Sequence, residues 1–336
     1  MEENTNLPSG CQEDLDGGRV TAGQALRRTA QELFRSPSWR HPEATEAEEQ
    51  HRARAEVEEL LCALSGWSRT QLWMGLAQSL PLSWGGQLRQ TVQRRLQGEP
   101  LQYITGRAPF YGRDFVVRKG CLIPRPETEV LAEAAIAWLR QQHGQGTVLD
   151  LGTGSGILAI TLALEFPQWN VYAVDNSVDT VDIACENVRL HAAPVQVVWA
   201  DGLDLVRSFA ADLDVEYRRV CPVQDHRVMA KPALLVSNPP YIPSSDLTAL
   251  QVEVLHEPLP ALDGGPDGLK YYRSLAATGP HMFQSGPAGL LLEVGVGQAE
   301  QVLDLFAAGE QQWPDWRFAV LPDLRGIPRV IFGQRP

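Results

Sequence analysis

The chain has 336 residues, 44% of them hydrophobic, which suffices for one large or two ordinary domains with a sizeable core. Its 29 basic residues against 41 acidic ones leave a net charge of −12, which argues against a dedicated nucleic-acid surface and favours a protein or small-molecule partner. Five widely spaced cysteines (Cys11, Cys62, Cys121, Cys185, Cys221) suggest neither a disulfide framework nor a zinc knuckle, so reduced thiols in a cytoplasm and no metal are expected.

Residues 1–18 are rich in Gly, Asn and Asp and read as a disordered tail. Glu2, Glu3, Glu13, Asp14 and Asp16 against the single base Arg19 are the reverse of a signal or transit peptide, and no apolar run reaches membrane-spanning length. Residues 19–98 predict a small helical domain. Val57, Leu60, Leu61 and Leu64 recur on one helix face, Ser68 stands as a cap before Leu72, Trp73 and Leu76, and the remaining Arg and Glu are expected as a solvated surface. At 99–123 the pattern changes to Tyr103, Ile104, Phe110, Tyr111, Phe115, Val116 and Val117 with Gly106 and Gly112, which predicts a linking β-hairpin.

From 124 to 336 strand and helix patterns alternate. Strands are expected near 147–151, 170–174, 195–199, 233–237 and 288–294, and helices near 156–166, 178–191, 268–284 and 297–308. This predicts an α/β fold with a doubly wound, mostly parallel sheet and an antiparallel edge hairpin from Arg317–Val320 and Arg329–Phe332. The polar stretch 206–231 reads as an inserted loop.

Two features of this second part carry chemistry. The strand Val148–Leu151 runs into Gly152-Thr153-Gly154-Ser155-Gly156 and then into an apolar helix, so backbone N–H groups and a helix N-terminus would meet any ligand placed there. The third glycine of a dinucleotide fingerprint would fall at Ile157, so that motif is not met. Asp175 and Asp201 each close a strand, where a carboxylate can reach ribose hydroxyls. Without a cationic phosphate clamp this suits a nucleoside such as S-adenosylmethionine; Asp201 can equally be a helix cap. The second feature is Asn238-Pro239-Pro240-Tyr241, directly after the apolar run Ala233–Val236. Prolines cannot extend a strand ladder and offer only carbonyls, Asn238 adds a side-chain acceptor and Tyr241 an aromatic face, so the corner is either a plain turn or a clamp for a planar nitrogen.

The glycine loop, Asp175 and the prolyl corner together resemble class I S-adenosylmethionine-dependent methyltransferases with a Rossmann-like domain. More specifically, the segments at 97–106 (QGEPLQYITG), 122–129 (LIPRPETE), 148–160, 236–242 and 290–298 (LLLEVGVGQ) resemble the protein-glutamine N5-methyltransferases of the PrmC/HemK family. The resemblance implies that the helical domain recognises class I peptide chain release factors and that the second domain methylates the glutamine of their Gly-Gly-Gln loop. It implies a cofactor site at Gly152, Thr153, Gly154, Ser155, Gly156, Asp175, Asp201, Gly202 and Asn238, and a catalytic corner of Asn238, Pro239 and Tyr241, with Pro240 also touching substrate. In the expected mechanism the Asn238 and Pro239 carbonyls accept the two amide hydrogens while Tyr241 packs against the amide plane. Glu127, Glu129 and Glu257 are expected in structural roles, with Glu257 and Pro258 shaping the site. A monomer with no membrane or nucleic-acid partner is expected. The competing readings are a ribosomal-protein glutamine methyltransferase, an adenine-N6 DNA methyltransferase, and a non-catalytic adaptor.

Overall fold

The computed structural model describes residues 20–36, 39, 44–213, 218–221, 229–307 and 313–336. The tail expected at 1–18 and part of the segment 206–231 lie outside the described residues. The chain divides after Gly106 into two compact units.

The first unit contains α1 (Ala22–Arg35), α2 (Glu46–Ser65), α3 (Arg69–Met74), α4 (Leu82–Leu96) and α5 (Leu101–Thr105). The first three begin with capping boxes: the hydroxyls of Thr21, Thr45 and Ser68 accept the N–H groups of Gln24, Glu48 and Gln71, whose side chains reach back to the cap N–H. Leu26, Leu33, Val57, Leu60, Leu61, Leu72 and Leu88 form the core, so the helix face seen in the sequence is the buried one. Some charges expected at the surface are internal. Glu58, 3% exposed, accepts from Arg54 and Arg69, while the buried Arg95 donates to Glu56 at 2.7 Å. Such charges enter a fold only when paired.

The segment Leu101–Thr105, expected in the linking hairpin, is instead a helical turn of the first unit. Pro100 stands at its N-cap, and Gly106 in the left-handed region ends it. The hairpin itself is shorter and opens the second unit: β1 (Arg107–Phe110) pairs with β2 (Arg113–Val116) across Tyr111 and Gly112, both at positive φ as a two-residue hairpin turn requires.

The second unit then places α6 (Thr128–Gln141) before an eight-stranded sheet. β3 (Thr147–Leu151), β4 (Asn170–Asp175), β5 (Val195–Trp199), β7 (Leu234–Ser237) and β8 (Ala288–Glu293) are parallel. β6 (Arg218–Cys221) runs antiparallel beside β5. β10 (Pro328–Arg335) lies antiparallel between β8 and β9 (Arg317–Pro322), giving the order β6-β5-β4-β3-β7-β8-β10-β9. The sheet is apolar on both faces, as parallel strands must be when helices cover both sides. Val148, Val171, Leu234 and Leu291 face one core with α6, α7 (Ile157–Glu165) and α8 (Val178–Leu190). Their neighbours Leu149, Tyr172, Leu235 and Leu292 face the other, with α9 (Gly202–Ala210), α10 (Lys270–Thr278) and α11 (Ala299–Ala307).

Two elements differ from expectation. The helix expected over 268–284 stops at Thr278, because Gly279 takes a positive φ and Pro280 follows. The segment 206–231 is not wholly loop: it holds the end of α9 and the edge strand β6. Asp201 caps α9, and Leu205, Val206 and Phe209 bury one face of it. Among the described residues no helix is long and apolar enough to cross a membrane.

Candidate active site

β3 and β7 are parallel neighbours with Leu151 paired to Ser237, and the Ser237 hydroxyl donates to the Leu151 carbonyl at 2.7 Å. The crossover after β3 leads to β4 on one side, whereas the one after β7 leads to β8 on the other. Strand order therefore reverses between them, and the crevice beyond their carboxyl ends is where open α/β sheets bind ligands. A cavity lies there. Gly152, Thr153, Gly154, Ser155, Asp175, Asp201, Gly202, Asn238, Pro239 and Pro240 line it, so the sheet brings together most of the residues singled out from sequence.

The glycine loop is folded onto the end of β4. The N–H groups of Gly152 and Thr153 donate to the Val174 carbonyl at 2.9 and 3.0 Å, and the Gly154 N–H donates to Asp175 Oδ2 at 3.1 Å. Asp175 Oδ1 accepts from the Ser177 N–H at 3.0 Å. Burial pushes the Asp175 carboxyl upward against these N–H groups, and the residue lines the cavity with further acceptor capacity on each oxygen. A Cβ on Gly152 or Gly154 would meet no atom within 4 Å, so the loop leaves open space where side chains would otherwise stand. Beneath it Asp150 is fully buried; its Oδ2 accepts from the Thr153 hydroxyl at 2.6 Å and the Ala159 N–H at 3.1 Å. Among the described residues its Oδ1 has no partner, and burial pushes the carboxyl up to about 7. An open glycine edge and a carboxylate in the cavity wall, with no cationic group in the loop to clamp a phosphate, fit a nucleoside such as S-adenosylmethionine.

Asp201 is the helix cap considered for it and also lines the cavity. Its Oδ1 caps α9 by accepting from Leu203 and Asp204 at 2.9 and 3.1 Å, and the residue still stands in the cavity wall. Gly156 does not line the cavity. It is the N-cap of α7, and its N–H donates to the Thr153 carbonyl at 3.0 Å.

The prolyl corner follows β7 directly. Asn238 Nδ2 donates to the Thr128 hydroxyl at 3.2 Å, and Pro239 is buried. Tyr241, expected to pack on a bound amide, is not among the residues lining the cavity. Its ring packs beside Gly295, and its carbonyl accepts from Gln298 Nε2 at 2.8 Å. Burial, with Glu293 nearby, pushes its hydroxyl up to about 12.

The glutamates take supporting positions. Glu257 is buried, accepts from the Ile123 N–H at 3.0 Å and pairs with Arg125, so it ties the segment before α6 to the one carrying Pro258. Glu129 accepts from the Tyr111 N–H at 2.8 Å in the hairpin turn. Sequence reasoning missed several contributors: Tyr271, Pro260 and Thr128 in the wall, Thr128 also bonded to Asn238, and Asn187 of α8, whose Nδ2 donates to the Ser155 carbonyl at 2.8 Å. Asn187, an amide in the middle of an apolar helix face, was the visible signal.

Comparison with known proteins gives the family. The family model described as PrmC N-terminal domain matches residues 43–106, ending where the first unit ends, and the methyltransferase small domain matches 128–216. The release factor glutamine methyltransferase of Geobacter sulfurreducens is 40% identical over 283 residues, 84% of this chain and 89% of that protein. That of Moorella thermoacetica is 38% identical over 292 residues, 84% and 92% of the two chains. A crystal structure of the release factor-specific protein-(glutamine-N5) methyltransferase from Alicyclobacillus acidocaldarius aligns with 66% of this chain and 99% of its own, at 32% identity and a TM-score of 0.40. The chain belongs to the family of release factor glutamine methyltransferases.

Proposed function

We propose that this chain methylates the side-chain amide nitrogen of the glutamine in the Gly-Gly-Gln loop of class I peptide chain release factors. S-adenosylmethionine is the methyl donor, and N5-methylglutamine and S-adenosylhomocysteine are the products. The observation that carries this reading is the acceptor-lined corner Asn238–Pro240 opening into the same cavity as the glycine loop, in a chain 40% identical to a release factor glutamine methyltransferase.

Gly152 to Ser155, with Asp175, would hold the donor, Asp175 taking the ribose hydroxyls and Asp201 with Gly202 bordering the base. The bound donor supplies an electrophilic methyl carbon on a sulfonium. An amide nitrogen is a weak nucleophile because its lone pair is delocalised into the carbonyl. Asn238 Oδ1 and the Pro239 carbonyl accept the two amide hydrogens, which orients the lone pair and favours the pyramidal form that the transition state requires. Most of the rate gain is therefore orientation and stabilisation of charge building on nitrogen, whose proton is lost as or after that charge builds. Pro240 borders the amide. Tyr241 acts through the backbone, its carbonyl anchored by Gln298.

The helical unit matched by the PrmC N-terminal model is the part we assign to release-factor recognition. We place the protein in the cytoplasm, where thiols such as Cys62 and Cys185 stay reduced. The test is to incubate the protein and labelled S-adenosylmethionine with a release factor, a ribosomal protein or DNA and to locate the label by mass spectrometry. Label on the Gly-Gly-Gln glutamine is the expected result; label on the ribosomal protein or DNA alone refutes the assignment.

A further inference from the structure

Behind Asn238 stands a chain of polar groups that the proposed reaction does not itself use. Asn238 Nδ2 is 3.2 Å from the hydroxyl oxygen of Thr128, the first residue of α6 and fully buried. Thr128 in turn acts on the carboxyl of Glu293, the last residue of β8 and 1% exposed, lowering its pKa as a hydroxyl donor does. Among the described residues Glu293 Oε2 has no hydrogen-bond partner. A carboxylate at the end of an otherwise apolar strand, with one oxygen unsatisfied, is costly and calls for a use.

Resting on the functional reading above, we infer that Thr128 and Glu293 are positioning residues that decide which end of the Asn238 side-chain amide faces the reacting glutamine.

The inference follows from donor and acceptor counting. An ionised carboxylate only accepts, so the single hydroxyl hydrogen of Thr128 is committed to Glu293. Thr128 then offers Asn238 only lone pairs. Only the NH2 end of the Asn238 amide can satisfy a lone pair, so Oδ1 is turned the other way, where it can accept from substrate. With Glu293 protonated or replaced by an amide, the Thr128 hydrogen is free to point at Asn238, and the flipped amide becomes equally satisfied. It would then set an NH2 group against the NH2 of the glutamine, donor against donor.

Glu293 is faced by Arg329 of β10, by Arg125 and Glu127 before α6, and by the Tyr241 hydroxyl. Tyr272 of α10 donates to its main-chain carbonyl at 2.8 Å. Burial raises its carboxyl to about 7 against the Thr128 hydrogen bond and the Arg329 charge. Positioning is therefore complete above that pH and is lost as the pH falls through it.

Three variants and two measurements test this. Thr128→Val keeps the shape and deletes the hydroxyl; it is expected to lower kcat about tenfold, the effect of one lost hydrogen bond, with KM and calorimetric cofactor affinity little changed. Thr128→Ser should restore kcat. Glu293→Gln should lower kcat and flatten the acid limb of its pH profile. The second measurement needs no turnover. In protein labelled with 15N-asparagine, the side-chain amide resonance that is missing from Asn238→Asp should titrate near pH 7 in the wild type and cease to titrate in Glu293→Gln. A Thr128→Val enzyme with wild-type kcat, or an Asn238 resonance indifferent to pH and to Glu293→Gln, overturns the inference. A wild-type protein that leaves the release factor unlabelled overturns the functional reading instead, and the resonance still decides the positioning chain.

Discussion

Replacing Gly268 by alanine separates the cost of an unfavourable backbone angle from the cost of moving the prolyl corner. Gly268 has φ +77, and a Cβ built there would lie 2.3 Å from the Tyr241 carbonyl oxygen and 2.5 Å from Gln298 Nε2. Ordinary contact begins near 3.4 Å, so the Tyr241 carbonyl must retreat by about 1 Å and give up its hydrogen bond from Gln298. The left-handed conformation costs about 1–2 kcal/mol and the lost hydrogen bond about 1 kcal/mol more, for a loss of about 2–3 kcal/mol in stability. A displacement of that size three residues from Asn238 should also cost about a hundredfold in kcat, the usual penalty for a misplacement of that order. Gly297 is the control. It has φ +79 but nothing within 4 Å of its Cβ, so Gly297→Ala bears the backbone term alone and leaves kcat unchanged. Chemical denaturation and single-turnover methyl transfer on both variants give the comparison. If Gly268→Ala matches Gly297→Ala in both, the corner is not held by this close approach and the argument fails.

Asn238→Ala should abolish methyl transfer while calorimetry finds cofactor affinity nearly intact; equal loss of both would remove the acceptor role given to Asn238. Asp175→Ala should weaken cofactor affinity about tenfold or more, the worth of a charge-assisted hydrogen bond, and an unchanged dissociation constant would contradict its ribose contact. Asp150 carries a folded-state carboxyl raised to about 7, so its contribution to stability is fully present below about pH 4 and is lost as the pH rises through 7. Asp150→Asn should flatten the dependence of stability on pH across that window, as followed by urea denaturation, and an unaltered slope would show that Asp150 titrates normally.

Much of this molecule is legible in its sequence for reasons of periodicity. The runs at 147–151 and 195–199 are strands over the same residues, since continuous β-branched and aliphatic stretches between glycines and helix caps leave few alternatives. The glycine loop and the prolyl corner were legible as motifs, and strand order put them on one cavity. Leu101–Thr105 was misjudged because Tyr103 and Ile104 favour strands intrinsically, while Pro100 and Gly106 made a helical turn the better fit. The edge strand β6 was hidden within a polar segment because an edge position needs only one partner strand. Tyr241 and the chain from Glu293 to Asn238 were out of reach for another reason. Which way a ring turns after two prolines, and which side-chain amide meets which hydroxyl across 110 residues, are outcomes of packing that no local pattern encodes.

Pro239 and Pro240 contribute no N–H, so their main chain can offer a guest in the proposed corner only carbonyl oxygens. Glutamate, the hydrolysis product of the target residue, arrives there as a carboxylate with no hydrogen to offer and a charge that neighbouring carbonyl dipoles oppose. The methylated product returns with one N–H where the substrate had two, so one acceptor is left unanswered. On the proposed reading, a pocket built this way would sort intact amides from deamidated ones and end its own reaction after one methyl group.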